Sequence, residues 1–228
     1  MTTVHLQKIG PHTWVYPFDS VKDRPNLGYI KGENMAVAVD AGHSSSHVED
    51  FYRALEREML PLPDLTVITH WHWDHTFGLH AVHGRTAARP ETNLHLEDIM
   101  SQMDSDSGFA KKFLNSDACI RREYAGGVPL KVIPAQEEIA DQTVIDLGGV
   151  TARLLYTDSP HTEDALVVYV PEDRVVYVGD AQLGEFPTWR MDFDRLEALA
   201  SMIRSLDVRT VVDGHWKIYS KEDFLAEL

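Results

Sequence analysis

The chain has 228 residues, 43% hydrophobic and 25% charged, which is enough for one large globular domain with a buried core. Its formal net charge of −15 disfavours functions that depend on phosphate backbones or anionic membranes, so we expect no nucleic acid and no membrane partner. The single cysteine, Cys119, excludes an internal disulfide and any multi-cysteine zinc site.

We expect neither a membrane-spanning helix nor a secretory leader. No hydrophobic run approaches the roughly 18 residues of a membrane-spanning helix. The first segment, "MTTVHLQKIGPHTWVYPF", lacks the basic region followed by an apolar region that marks a secretory leader. We therefore expect a cytoplasmic protein.

The amino-terminal part predicts strands followed by one helix. "TWVYPF", "NLGYIKG" and "NMAVAVD" have the composition of strands, and a turn at Gly32 and Glu33 joins the last two in a hairpin. A helix follows in "SSSHVEDFYRALEREML", where Ser46 and Glu49 form a predicted capping box. Its predicted buried stripe is Val48, Phe51, Tyr52, Leu55 and Met59. "DLTVIT" is the next strand.

The rest of the chain predicts a helical segment and then a second set of strands. Residues 85–130 are expected to form a helical insertion that shapes the mouth of a pocket. Strands resume at "TVIDL" and "VTARLLYT", and a hairpin follows in "ALVVYV" and "VVYVGD". "DFDRLEALASMIRSL" is an amphipathic helix, and "RTVVDGHW" is a last strand followed by a short helix. This order favours a single α/β layered domain over residues 1–228.

The segment "THWHWDHTFG", residues 69–78, concentrates histidine to an unusual degree. In an extended chain the side chains of His70 and His72 point the same way, because they alternate with a period of two. A turn at Asp74 and His75 would bring those two side chains beside the first pair. The spacing thus predicts two adjacent half-sites, each short of metal ligands.

Three later residues can complete these half-sites, since each follows an apolar strand. His161 comes after "VTARLLYT", Asp180 after "VVYVG" and His215 after "TVVDG". Ligands often gather outside the ends of strands in α/β proteins. Taken singly, each could be a loop, turn or cap residue, and it is their common placement that indicates a site.

Together these residues resemble the metallo-β-lactamase superfamily of metallohydrolases. The pattern comprises Asp40 after "MAVAV", "HWHWDH" at 70–75, His161, Asp180 and His215, in the order of that family. The resemblance covers about residues 13–220, and H-x-H-x-D-H is highly specific for the superfamily but weak for any one substrate. It implies an α/β fold of four αββα layers, with two mixed sheets flanked by helices and a metal site at one edge.

The resemblance also implies the role of each residue. His70, His72 and His161 would hold one metal ion, Asp74, His75 and His215 a second, and Asp180 would bridge them. Asp40 would support the site without binding metal. Zinc suits this donor set, and iron and manganese also accept it. Asp74 and Asp180 are the two carboxylates assigned to the catalytic centre.

The implied function is a dinuclear hydrolase in which a metal-bridging hydroxide attacks an ester, lactone, thioester or related bond of a small molecule. Two alternatives remain open. A mononuclear iron oxygenase of the persulfide-dioxygenase type would use His70, His161 and Asp180, and its motif overlaps the hydrolase motif. A metal-bound module without catalysis is the other, although the complete ligand set argues against it.

The sequence departs from the family pattern at two places, and the first of them narrows the function. The commonest β-lactamase subclass has cysteine at the bridging position, where this chain has Asp180, so an antibiotic hydrolase of that type is not expected. Many relatives carry glycine before the third-site histidine, whereas here the stretch is "SPHTED".

Other residues near the motifs receive only general expectations. We expect the tryptophans at 71, 73, 189 and 216 to pack in the core, and Lys217 to be a solvated lysine. His43 and His47 are expected at the surface or in support of the site rather than as ligands. The sequence does not indicate the oligomeric state.

Overall fold

The computed structural model describes residues 4–228 of the chain. Residues 1–3, which the leader and single-domain predictions include, lie outside the described residues. No helix in the described part is long and apolar enough to cross a membrane.

The first half of the chain forms one mixed sheet whose strands lie side by side in sequence order. The strands are β1 (Gln7–Lys8), β2 (Thr13–Tyr16), β3 (Leu27–Lys31), β4 (Ala36–Val39), β5 (Leu65–Val67), β6 (Arg85–Ala88) and β7 (Glu137–Glu138). Neighbouring strands are antiparallel from β1 to β4, with Gly28 opposite Val39, and parallel from β4 to β7, with Val37 opposite Leu65.

The second half forms another mixed sheet, also in sequence order. The strands are β8 (Gln142–Asp146), β9 (Thr151–Tyr156), β10 (Leu166–Val170), β11 (Val175–Gly179), β12 (Thr210–Asp213) and β13 (Ile218–Ser220). All neighbouring pairs are antiparallel except β11 and β12, which are parallel.

Helices cover the outer faces of both sheets. The α-helices of residues 4–228 are α1 (Ser45–Arg57), α2 (Trp73–Thr76), α3 (Pro90–Ser105), α4 (Phe109–Ser116), α5 (Ala118–Glu123), α6 (Phe193–Ser205) and α7 (Lys221–Glu227), and all except the single turn α2 contribute to these outer layers. Helix α1 packs on the first sheet through Phe51 and Leu55, while α6 packs on the second through Leu199 and Ile203. The layers are therefore helix, sheet, sheet and helix, which confirms the αββα prediction.

The main core lies between the two sheets. Val37, Val39 and Val67 of the first sheet meet Leu154 and Val168 of the second in one buried cluster. Burying each such side chain contributes about 1.5–3 kcal/mol, so this cluster supplies much of the stability that holds the sheets together. Strands β4, β5, β10 and β11 are buried on both faces, which explains their nearly continuous apolar sequences.

Three local predictions need correction. The capping residue of α1 is Ser44, whose hydroxyl accepts hydrogen bonds from the amides of Ser46 and His47, so the predicted Ser46 capping box is wrong. Met59 lies beyond the end of α1 and is 92% exposed, so it does not belong to the buried stripe. Residues 85–88, placed in the helical segment by the sequence, form β6, and the helices of that segment run from residue 90 to residue 123.

A buried ion pair ties the helical segment to the rest of the fold. The carboxylate of Glu123, at the end of α5, accepts hydrogen bonds from Arg24 Nε at 2.7 Å and from the Ser44 hydroxyl. Arg24 also reaches Asp50 on α1 at 2.8 Å, and the Glu123 side chain is completely buried. Removing one member of such a pair leaves the other charge buried without compensation.

We therefore expect Glu123→Gln to lower the free energy of unfolding by about 3 kcal/mol. Burial alone would raise the pKa of Glu123, but hydrogen bonds and the charge of Arg24 outweigh it and lower the pKa below its ordinary value. A lowered pKa means that the carboxylate stabilises the fold fully above the ordinary value, and that this contribution is lost as pH falls through the lowered value.

Urea unfolding of both proteins at about pH 7 and about pH 4 measures this effect. The difference should be largest at the higher pH and shrink at the lower one. Glu137→Gln, which breaks an exposed pair with Arg85, is the control and should change little. An equal, small effect of both substitutions at neutral pH would contradict the assignment of Glu123 as an anchor.

Candidate metal centre

The histidine-rich segment begins where the buried strand β5 ends. The carbonyl of Thr69 accepts a hydrogen bond from the amide of Leu166 at 2.8 Å, which joins this strand end to β10 of the second sheet. The segment therefore lies at the edge where the two sheets meet. A metal site at one edge of the sandwich is where the resemblance placed it.

The turn predicted at Asp74 and His75 is a single turn of helix, α2. The hydroxyl of Thr76 donates to the carbonyl of His72 at 2.8 Å and closes this turn. The turn places Asp74 and His75 beside the pair formed by His70 and His72. All four side chains are buried.

One group of candidate ligands consists of three histidine rings. His72 Nδ1 lies 3.2 Å from His70 Nε2 and 2.9 Å from His161 Nε2. Nitrogen ligands on a tetrahedral zinc ion with bonds of 2.0–2.1 Å are about 3.3 Å apart, so the spacing is close to what a bound ion requires. The opposite nitrogen of His161, Nδ1, lies 2.8 Å from the carbonyl of Gly184, which orients Nε2 toward this group.

The second group combines two histidines with two carboxylates. His215 Nε2 lies 3.0 Å from Asp74 Oδ2 and 3.1 Å from Asp180 Oδ2. His75 Nε2 lies 3.4 Å from Asp74 Oδ2 and 3.6 Å from Asp180 Oδ1. In each group the candidate ligand atoms fall within 4.8 Å of one another.

Asp180 connects the two groups. Besides its contacts with His75 and His215, its Oδ2 lies 3.6 Å from His161 Nε2 of the first group. The residue directly follows β11, while His215 lies just after the parallel neighbour β12, and this pairing brings both side chains to the same edge. The sequence predicted such convergence from the positions of the strand ends.

Asp40 orients the ring of His75 without belonging to either ligand group. Its Oδ2 lies 2.8 Å from His75 Nδ1 and accepts the hydroxyl of Thr69 at 2.9 Å, while its Oδ1 accepts the Thr69 amide at 2.7 Å. A proton held at Nδ1 by this carboxylate leaves Nε2 of His75 free to act as a ligand. This is the supporting position that the resemblance implied for Asp40.

The two groups differ in electrostatics. Burial, assisted by neighbouring histidines, lowers the pKa of His70 well below its ordinary value and that of His72 to about 3. Both rings are therefore neutral, which is the state that binds metal. In the second group burial opposes ionisation, but the carboxylates of Asp74 and Asp180 outweigh it and raise the pKa of His75 and of His215.

The pKa values of the carboxylates in the second group shift in the opposite direction to those of the histidines. Burial alone would raise the pKa of Asp74 and of Asp180, yet His75 and His215 outweigh it and lower both values. Two buried atoms, His75 Nε2 and Asp180 Oδ1, have no hydrogen-bond partner among residues 4–228. Because a divalent cation would satisfy both atoms and neutralise both carboxylates, the donor set fits a metal ion.

Every residue predicted as a metal ligand thus lies in one of these two groups. The sequence did not predict Asp23, which is a neighbour of the second group. Asp23 Oδ1 lies 3.5 Å from His215 Nδ1, and burial together with the charge of Asp74 raises the pKa of Asp23 to about 6. Asp23 lies in the loop between β2 and β3, and no motif or strand end marks it.

The histidines, tryptophans and lysine that the sequence analysis named beside the motifs differ in their burial. Of the two positions expected for His43 and His47, at the surface or in support of the site, burial excludes the surface, since both are fully buried; His43 Nδ1 contacts the carbonyl of Lys22 at 3.0 Å. Trp189 and Trp216 are each 58% exposed, so their assignment to the core is wrong as well. Lys217 is solvated as expected and pairs with Glu227 at 3.0 Å.

Comparison with known proteins agrees with this geometry. Residues 22–215 match the family model described as "Metallo-beta-lactamase superfamily". A curated relative, an atrochrysone carboxyl ACP thioesterase of Aspergillus fumigatus, is 23% identical over 188 residues, which are 82% of this chain and 49% of the relative. The chain thus spans about half the length of that relative.

Two solved structures share the fold at low sequence identity. A metallo-β-lactamase from Pontibacter korlensis is 18% identical with a TM-score of 0.71, over 98% of this chain and 95% of that one. A metallo-β-lactamase from Hirschia baltica is 19% identical with a TM-score of 0.67, over 99% and 95%. These similarities establish the fold, and the chemistry has to be argued from the site.

Proposed function

The chain belongs to the metallo-β-lactamase superfamily, and from this premise we propose that it is a hydrolase that uses two divalent metal ions, preferably zinc. Its proposed substrate is a small molecule with an ester, lactone or thioester bond. The observation that carries the proposal is the pair of adjoining buried ligand groups with Asp180 between them. Most members of the superfamily are metal-dependent hydrolases, and a divalent metal ion fits the donor set described above.

The residues divide between the two ions as follows. His70, His72 and His161 would hold the first, and Asp74, His75 and His215 the second, with Asp180 shared by both. Ions bound there supply Lewis acidity, which polarises a carbonyl and lowers the pKa of water from 15.7 to about 7.

In this proposal Asp180 accepts the proton and Asp74 positions a metal ligand. Asp180 Oδ2 lies within 3.1–3.6 Å of ligand nitrogens from both groups, so it is placed to accept a proton from a water molecule held between them. The lowered pKa of Asp180 keeps it ionised at neutral pH. Asp74 Oδ2, at 3.0 Å from His215 Nε2, fixes the orientation of that ring.

Two observations favour a thioester or an oxygen ester over a β-lactam as the substrate. The curated relative is named a thioesterase, although it is only 23% identical and about twice as long as the matched segment. The bridging position holds Asp180, an oxygen donor, where the commonest β-lactamases hold cysteine. Thioesters and oxygen esters are therefore the first classes to test, and β-lactams follow.

The iron-oxygenase alternative accounts for less of the site. It would use His70, His161 and Asp180 only. Asp74, His75 and His215 would then bind no ion, although with Asp180 they form a second buried group of candidate ligands beside the first. The geometry therefore favours the hydrolase.

The deciding measurement is elemental analysis of protein purified without chelators and without added metal. We expect about two zinc ions per chain, and hydrolysis of a panel of esters, lactones and thioesters that is lost on chelation and recovered with zinc. About one iron per chain, with oxygen consumption in the presence of thiols or persulfides, would replace the hydrolase with the oxygenase.

A further inference from the structure

Two exposed aromatic rings stand beside the first ligand group. Phe186 and Trp189 are 39% and 58% exposed, and their ring centroids are 5.7 Å apart. The Phe186 ring lies 5.7 Å from that of His72, and the Trp189 ring lies 6.4 Å from that of His161 and nearly parallel to it. We call Phe186 and Trp189 the aromatic wall.

The loop that carries the wall is fixed to the candidate metal centre. The carbonyl of Gly184 lies 2.8 Å from His161 Nδ1, so the base of the loop is tied to a proposed ligand. The amide of Glu185 donates to the carbonyl of Arg190 at 3.0 Å, and the amide of Trp189 donates to the carbonyl of Glu185 at 2.7 Å. These bonds close the loop and hold both rings beside the site.

The backbone at Trp189 is strained, and packing does not explain the strain. Its φ of +55° lies in the left-handed region, which a bulky side chain rarely adopts. More than half of the side chain is exposed, so the conformation does not serve to bury it. Strain of this kind collects at ligand-binding sites, where it presents a side chain to a ligand.

The charged residues that flank the wall offset one another and leave no net charge there to bind an ionic group. Glu185 and Arg190, which flank it, approach each other to 3.9 Å and offset one another. The chain as a whole carries a net charge of −15, which repels anionic groups. Flat aromatic groups stack well on exposed rings, because offset and edge-to-face contacts are favourable.

We propose that the aromatic wall is a specificity subsite that receives a flat, uncharged aryl group of the substrate next to the bond that is cleaved. This inference rests on the proposed function and names its substrate class. The rings lie within 6.4 Å of the rings of two proposed ligands, so a group stacked on them would adjoin the reacting carbonyl.

The test measures binding of 2-naphthamide, a neutral aryl probe, by calorimetry to both metal-loaded and metal-stripped protein. Phe186→Ala and Trp189→Gly should each weaken binding about tenfold. Trp189→Gly also removes the strained backbone and should fold at least as stably as the unaltered protein, which separates loss of the ring from loss of the fold. Phe193→Ala, which removes another exposed ring, is the matched control and should bind normally.

A second comparison uses 2-naphthoyl and acetyl thioesters of the same thiol. The wall variants should raise KM for the aryl thioester about tenfold and leave that for the acetyl thioester nearly unchanged. Equal behaviour of both substrates in all variants, or equal binding of the amide by all proteins, would overturn the subsite. If the amide binds as expected but no thioester, ester or lactone is cleaved, the proposed hydrolase fails and the aryl subsite stands.

Discussion

Replacing Asp180 by alanine is expected to lower kcat/KM about 10³-fold and to remove at least one metal ion from each chain. The two oxygens of this carboxylate face different partners: Oδ1 lies 3.6 Å from His75 Nε2, while Oδ2 lies 3.1 Å from His215 Nε2 and 3.6 Å from His161 Nε2. Under the proposed function, alanine would remove a ligand shared by both ions and also the proposed proton acceptor, which alone is worth about 10²–10⁴ in rate.

Asparagine at the same position separates these two contributions. Asp180→Asn keeps the shape and one oxygen but loses the negative charge, so we expect metal content between that of alanine and that of the unaltered protein. Its rate should fall nearly as far as that of alanine, because an amide does not accept the proton. Elemental analysis and steady-state kinetics on the same preparations measure both quantities.

Asp173→Ala is the matched control for Asp180→Ala. Asp173 is also a buried aspartate, but it precedes β11, whereas Asp180 follows it. Its carboxylate accepts the amide of His12 at 2.7 Å and the hydroxyl of Thr13 at 2.7 Å. The control should therefore lose stability while keeping its metal and activity, and an Asp180→Ala protein with full activity and full metal content would contradict the bridging role.

The sequence predicted the candidate ligands because strand ends and motif spacing are local properties. β5, β9, β11 and β12 are apolar enough to be recognised, and each ends a few residues before a predicted ligand. The alternation of side chains placed His70 and His72 on the same side, and a single helical turn then added Asp74 and His75. The αββα layering came from the family resemblance rather than from the pattern itself.

Elements with little apolar sequence were missed. β6 has the sequence "RTAA", β7 consists of two exposed glutamates, and β13 is a half-buried segment of three residues. Each is a strand because a neighbouring strand in the sheet offers hydrogen bonds, and the chain itself does not signal it. Tertiary context also decided that Ser44 rather than Ser46 caps α1.

The surroundings of the site were the least predictable part. His43 lies buried against Tyr124, at the end of α5, whose hydroxyl donates to the His43 carbonyl at 2.8 Å. Trp189 projects into solvent because its loop closes on itself, and Asp23 reaches His215 from a loop without a motif. These placements depend on contacts between residues far apart in sequence, so periodicity and composition do not reveal them.

The second substitution with a large expected effect is at Gly214, the residue before His215. Its amide donates to the carbonyl of Gly179 at 2.8 Å, and its carbonyl accepts the amide of Asn26 at 2.6 Å, so its backbone is held from both sides. A Cβ added here would overlap Asp180 Oδ1 and lie 3.1 Å from His75 Cε1. The structure therefore requires glycine at this position to make room for the carboxylate.

Gly214→Ala is expected to lower kcat/KM at least about 100-fold, because a displacement of about 1 Å at a reacting centre costs that much. The clash falls on the end of a side chain, so Asp180 can rotate away and the fold should survive, with less metal bound than in the unaltered protein. Gly108→Ala, at a glycine with negative φ outside both ligand groups, is the control.

Thermal unfolding, metal content and kinetics of the two glycine variants distinguish the explanations of any loss. If Gly214→Ala unfolds at the temperature of the control but binds less metal, the position of the Asp180 carboxylate controls metal binding without any ligand having been removed. If instead Gly214→Ala retains two ions and full activity, the Asp180 carboxylate tolerates displacement. Its close placement between His161 and His215 is then not required for the reaction.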